Sequence, residues 1–184
     1  MRLVALVAFV MFGLPAAVWA QTAQSPYRGQ EARPIKALSS DEIGDYLAGA
    51  GLGYAKAAEL NGYPGPRHVL DLASELDLTA EQKAMTQAIW QRMNDAAVPL
   101  GQVIVDREAE LDKLFATRQI DDKRLAALTD EIGALDGRLR AVHLKAHLEL
   151  TALLSRHQIV TYDRLRGYAG GGGHGGHGAD PRKH

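Results

Sequence analysis

Cysteine is absent from the 184 residues. That excludes disulfides, thiolate metal sites and cysteine nucleophiles. Aromatic residues make up only 6% of the chain, which disfavours a β-sandwich and, with abundant alanine and leucine, favours helices. Neither sign of charge dominates: 21 basic against 22 acidic side chains leave a formal net charge of -1. Bulk attraction to polyanions is therefore excluded, and no nucleic-acid partner is expected. Long apolar runs are also missing. The one candidate, residues 3–14, spans twelve residues, well short of the roughly 20 that cross a bilayer.

That run has a different reading. Met1-Arg2 gives a positive start, Pro15 ends the apolar stretch, and Val18-Trp19-Ala20 forms a cleavage site. Residues 1–20 are expected to be a signal peptide, cut before Gln21 and directing the chain to a Gram-negative periplasm. In that oxidising compartment a cysteine-free chain depends on packing for its stability.

Residues 21–38, with Pro26, Gly29 and Pro34, show no periodicity and are predicted to be a flexible leader. Residues 39–65 read as a weak, glycine-containing helix and turn. Ser39 and Glu42 form a capping box ahead of a helix predicted over 41–60, which Gly44, Gly49, Gly51 and Gly53 weaken. The stretch Gly49-Ala50-Gly51-Leu52-Gly53 has the wrong spacing for GxGxxG and no preceding strand, so no nucleotide is expected. Asn61-Gly62-Tyr63-Pro64-Gly65-Pro66 breaks the chain.

Helical patterning sharpens over 66–168. A short helix is predicted over 66–76. Thr79 and Gln82 then cap a long helix over 80–118, with Met85, Ile89, Met93, Ala96, Leu100, Val103, Leu111 and Leu114 at helical spacing. Pro99 lies inside it and is expected to kink the rod near Asp95. Asp121 caps a further helix carrying Leu125, Leu128, Ile132, Leu135, Leu139, Val142, Ala146 and Leu153. That 3-4 rhythm predicts antiparallel packing on the preceding helix with a left-handed supercoil. The pairing places His147 across from Met93 and His143 across from Ala97. Ser155 and Gln158 cap a last short helix ending near Gly167. Residues 169–184 are expected to form a disordered Gly/His-rich tail.

One motif occurs twice. Leu78-Thr79-x-x-Gln82 returns as Leu154-Ser155-x-x-Gln158, flanking the long hairpin. With the signal peptide, this arrangement resembles the Spy/CpxP family of periplasmic stress chaperones, named for paired LTxxQ motifs, and its heavy-metal resistance and sensor relatives. The resemblance covers residues 66–168; residues 46–66 lie outside it. It implies an all-α, bent antiparallel long-helix hairpin with short flanking helices, in a four-helix arrangement that forms a homodimer. It further implies ATP-independent chaperoning, or sensing and buffering of metal. The partners would be unfolded or misfolded envelope proteins, and a membrane sensor or anti-sigma partner.

His143 and His147 stand four apart on one helix face, spacing suited to zinc, copper or nickel. They flank the Leu139-Val142-Ala146 stripe and are predicted to be half-buried. His68, just before the first motif, is a third candidate, and the set resembles the layout of metal-sensing relatives. Glu149, Glu81 and Asp71 are further oxygen candidates. His174, His177 and His184 in the tail are candidates for weak scavenging. No metal is required for folding, and zinc, copper or nickel are the ions expected. Between residues 106 and 136 nine acids face five bases, whereas residues 138–166 hold six bases and two acids. A basic concave face at that end would attract unfolded clients. Catalysis is not expected: Ser155 beside His157 serves as a cap, and no nucleophile, base and oxyanion donor occur together.

Overall fold

The computed structural model describes residues 25–168. The expected signal peptide at 1–20 and the tail at 169–184, with His174, His177 and His184, lie outside the described residues. Residues 25–31 belong to a unit of their own, held by turn hydrogen bonds such as Gln30 N–H to the Tyr27 carbonyl at 3.0 Å. The second unit, from Ala32 onward, carries every helix among the described residues. These are α1 (Ser40–Ala48), α2 (Lys56–Glu59), α3 (Pro66–Asp71), α4 (Ala80–Ala116), α5 (Asp122–Leu153) and α6 (Arg156–Leu165). Among the described residues there is no strand.

The expected hairpin is present. α4, about 55 Å long at 1.5 Å per residue, packs along α5. Arg92 pairs with Glu149 at 2.9 Å and Arg107 with Glu131 at 2.9 Å, so the register of the two rods follows the predicted pairing. Pro99 sits inside α4 without ending it. On α5 the stripe Leu128, Ile132, Leu135, Leu139 and Ala146 is buried as the 3-4 rhythm requires, while Leu125, near the tip, stays exposed.

The buried face of α4 differs from the predicted stripe. Met85 and Ala96 are exposed; Thr86, Ile89, Ala97, Ile104 and Val105 are buried instead. The reason is that α4 serves several neighbours besides α5. Ala97 and Ile104 pack with Leu135 and Leu139 of α5, while Val105 packs with Ile35 and Leu38. The flexible leader placed at 21–38 is therefore corrected over its last residues. Ile35 and Leu38 are only 6% and 8% exposed, and Lys36 donates its backbone N–H and its ammonium to Asp112 at 3.0 and 3.2 Å. Two apolar residues three apart suffice to seat a turn, but they form no periodic signal.

Two further boundaries move. The single weak helix expected over 41–60 is two. Ser39 and Glu42 cap α1 as anticipated, but Gly49 turns left-handed (φ 66°) and its N–H closes on the Asp45 and Tyr46 carbonyls, ending the helix. Leu52 and Gly53 are also left-handed (φ 45° and 76°) before α2 begins. The short helix expected over 66–76 stops at Asp71, although Leu76 remains buried. α1 crosses α4 at Gly101. A β-carbon there would lie 2.0 Å from the Tyr46 carbonyl oxygen, so only glycine admits this crossing.

Both repeated motifs are capping boxes. Thr79 Oγ1 accepts from Gln82 N–H and Ser155 Oγ from Gln158 N–H, while each glutamine side chain accepts from its cap backbone N–H. The two glutamines then meet. Gln82 Nε2 donates to Gln158 Oε1 at 3.0 Å, and Gln158 Nε2 donates to Gln82 Oε1 at 2.9 Å. The remaining amide protons go to the Leu153 carbonyl, at the end of α5, and to the Leu76 carbonyl. Each carboxamide thus makes four hydrogen bonds; Gln158 is buried, at 8% exposed, and Gln82 is half-buried. Replacing either glutamine by alanine strands the partner amide and is expected to cost about 1–3 kcal/mol. The double variant should cost clearly less than the two singles together, by about 0.5 kcal/mol or more. Urea unfolding of the four proteins measures this; additive losses would show that the pair is not a unit.

Candidate metal centre

A cavity of about 550 Å³ lies where residues 48–68 cover the hairpin. His68, His143 and His147 all line it, together with Glu59, Met93 and Arg166. The sequence-predicted trio is thus brought to one place by two elements: α3 carries His68, while α5 presents the other two one turn apart. Among the described residues, however, no three His, Asp or Glu side chains gather tightly enough to hold a metal ion by themselves. Glu149, Glu81 and Asp71 do not line the cavity. Glu149 pairs with Arg92, and Asp71 with Arg67.

The predicted half-burial of the α5 pair is corrected. His143 is 3% exposed and His147 6%. The shoulder of the hairpin is open only if nothing covers it, and here residues 46–66 do. Tyr54 stacks on the His143 ring with centroids 6.2 Å apart. The Tyr54 hydroxyl donates to Asp136 at 2.5 Å, and Tyr46 O–H reaches the same oxygen at 3.4 Å. Burial, then the Asp136 contact, pushes the Tyr54 phenol well above its usual range, so it stays a neutral donor.

His143 Nε2 is buried without a hydrogen-bond partner. An orphaned polar atom of this kind costs about 1–3 kcal/mol. Burial, followed by the neighbouring His147, holds its pKa below the ordinary imidazole value. His147 is fixed differently. Its Nδ1 lies 2.7 Å from the Tyr63 carbonyl oxygen. A ring nitrogen facing a carbonyl must carry the proton, which leaves Nε2 with its lone pair in the neutral ring. Gly65 leaves space beside that nitrogen; a β-carbon there would lie 3.3 Å from Nε2. His68 is half-buried, and burial, then Arg166, lowers its pKa.

Glu59 anchors the cover from below. Its Oε1 accepts from Tyr162 O–H at 2.5 Å, Tyr168 O–H at 3.1 Å and Arg166 Nε at 3.4 Å, and its Oε2 lies 3.8 Å from His147 Nδ1. Tyr162 is fully buried and also accepts from Gly65 N–H. Glu59, Tyr54, Tyr63 and Gly65 carry no motif; their weight comes from where the chain folds them. The concentration of Tyr46, Tyr54 and Tyr63 around two glycine-rich breaks is the one local hint.

Two of these residues are suited to a metal ion. His143 offers a buried nitrogen that nothing else uses, and His147 is oriented through its other nitrogen by a backbone carbonyl, as metal-ligating histidines commonly are. Without metal the same burial has a pH signature. The folded-state pKa of His143 lies below its unfolded value near 6.5, so the unfolded chain binds more protons in that window. Stability is therefore complete above that value and falls as pH drops through the folded pKa. In the presence of a chelator, His143→Leu is expected to be at least as stable as the wild type at neutral pH and to lose less stability on acidification. Thermal melts between pH 7.5 and 5 test this; an unchanged pH slope would refute it.

Residues 46–160 match the model of a protein family described as heavy-metal resistance. The match takes in residues 46–66, which the resemblance drawn from the motifs had left outside. Among curated proteins and among solved structures, nothing matches the chain.

Proposed function

The chain belongs to the heavy-metal resistance family, which is related to the Spy/CpxP periplasmic proteins, and on that premise we propose that it binds a heavy-metal ion in the covered cavity of its hairpin. The observation that carries this reading is the orphaned Nε2 of His143, 3% exposed, beside a His147 whose Nδ1 is committed to the Tyr63 carbonyl. A bound ion would give both Nε2 atoms a partner and recover the cost of burying that of His143. His68, on the same cavity, is the third nitrogen within the reading. The protein would act in the periplasm, as a buffer or as a sensor reporting to a membrane-bound regulator. No helix among the described residues is long and apolar enough to cross a membrane itself.

Calorimetric titration with zinc, nickel and copper tests the assignment. The expected result is one site of about micromolar affinity or tighter, lost in His143→Ala/His147→Ala and kept in a chain ending at Tyr168. Loss only on truncation would move binding to the tail histidines. No binding in any variant would remove the function.

A second reading is ATP-independent holding of unfolded envelope proteins by a homodimer. It is favoured by large apolar side chains left on the helix surfaces: Met85, Phe115, Leu148 and Val160 are 47%, 54%, 58% and 56% exposed. Each offers a small apolar contact of the kind a weak, promiscuous binder uses. Purified mature chain is then expected to suppress aggregation of an unrelated unfolding protein. Absence of protection at several-fold molar excess would end that reading.

A further inference from the structure

We propose that the ion this cavity selects is a soft monovalent cation, Cu(I) or Ag(I), held by His143, His147 and the thioether of Met93. The inference rests on the metal-binding reading above and narrows it to one class of ion.

Three observations support it. The first is the donor set. Met93 projects from α4 into the same cavity as the two histidines, and packs against the cluster containing Ala146 and Leu150 around them. The chain has no cysteine, so this thioether is the soft donor lining the cavity. Of the other methionines, Met1 and Met11 lie in the expected signal peptide. Met85 is 47% exposed and does not line the cavity. Thioether and imidazole donors together favour Cu(I) over the harder divalent ions. The second is the scarcity of carboxylate. Glu59 is the one acidic residue lining the cavity; its Oε1 is taken by Tyr162, Tyr168 and Arg166, and its Oε2 lies 3.8 Å from His147 Nδ1, the nitrogen already turned to the Tyr63 carbonyl. Zinc, nickel and cobalt sites usually draw on a hard oxygen or a third nitrogen, whereas no three His, Asp or Glu side chains converge here. A d¹⁰ monovalent ion is content with two or three neutral donors. The third is charge. Lys56, Arg67 and Arg166 line the cavity against the single Glu59; Arg67 is paired with Asp71 and Arg166 with Glu59, which leaves Lys56 in excess. Coulomb repulsion scales with the charge of the ion, so this excess opposes a dication twice as strongly as a monocation at the same place.

The test uses silver(I) nitrate in chloride-free buffer, and copper(I) under nitrogen in competition with a chromophoric Cu(I) chelator, beside zinc(II), nickel(II) and cobalt(II). The full mature chain is compared with Met93→Leu, which conserves volume, and with His143→Ala/His147→Ala, each checked for folding by circular dichroism. The expected result is one equivalent of Ag(I) or Cu(I) bound at least about tenfold tighter than any of the divalent ions. Met93→Leu should lose about tenfold or more of that affinity while zinc affinity stays within about twofold. X-ray absorption at the copper edge should show a sulfur neighbour in the wild type that is missing in Met93→Leu. Unchanged silver affinity in Met93→Leu, or zinc or nickel binding tighter than silver through the histidines, would overturn this inference while leaving the metal-binding function standing. Failure of every ion to bind would overturn both.

Discussion

The joint between Gln82 and Gln158 is the constraint on which the remaining geometry depends. Two carboxamides face each other in a closed double hydrogen bond, and each also satisfies a cap amide and a carbonyl from another segment. The start of α4, the start of α6, the end of α5 and the residues after α3 are thereby tied at one point. A hairpin of two apolar-striped rods could slide by one turn with modest loss of apolar burial. Polar groups that are fully paired only in one alignment remove that freedom. Once the ends of α4 and α5 are pinned, Arg92 meets Glu149, and Met93 arrives on the cavity that His147 lines.

The second layer turns this scaffold into a site. On the bare hairpin, His143 and His147 would stand at a wet shoulder and stay hydrated. Residues 46–66 close over them through contacts that are mostly polar: Tyr54 to Asp136, Tyr63 to His147, and Glu59 to Tyr162 and Tyr168. Each tyrosine covers apolar surface while its hydroxyl or carbonyl finds a partner. The outcome is a pair of imidazoles stripped of water, one oriented by a carbonyl and one left without a partner. Such an arrangement costs folding energy, and binding of an ion is what would recover it.

What was legible in the chain follows the range over which each signal acts. Capping boxes at Ser39, Thr79 and Ser155 are complete within four residues, and all three are present. The α5 stripe faces mainly α4 and is buried nearly as its spacing requires. α4 defeats the same reasoning because it is also packed by α1, α3 and the turn at 35–38, so Val105 turns inward toward Ile35 and Leu38 while Met85 and Ala96 stay outside. The candidate histidines could be named from their i, i+4 spacing, but their depth could not. It is set by a segment whose glycines suppress every periodic signal. Nor could the glutamine pair be read, since its partners lie 76 residues apart in sequence.

The crossing of α1 over α4 leaves no room for a β-carbon at Gly101, where one would lie 2.0 Å from the Tyr46 carbonyl oxygen. That contact lies directly before the chain turns at Gly49 to form the cover. Any evolutionary divergence that introduces a side chain at this position must first lift α1 from the rod, and with it Tyr46 and the hydroxyl cluster it shares with Tyr54 and Asp136. A single codon therefore sorts descendants of this fold into those that keep the histidines roofed and those that leave them open to solvent.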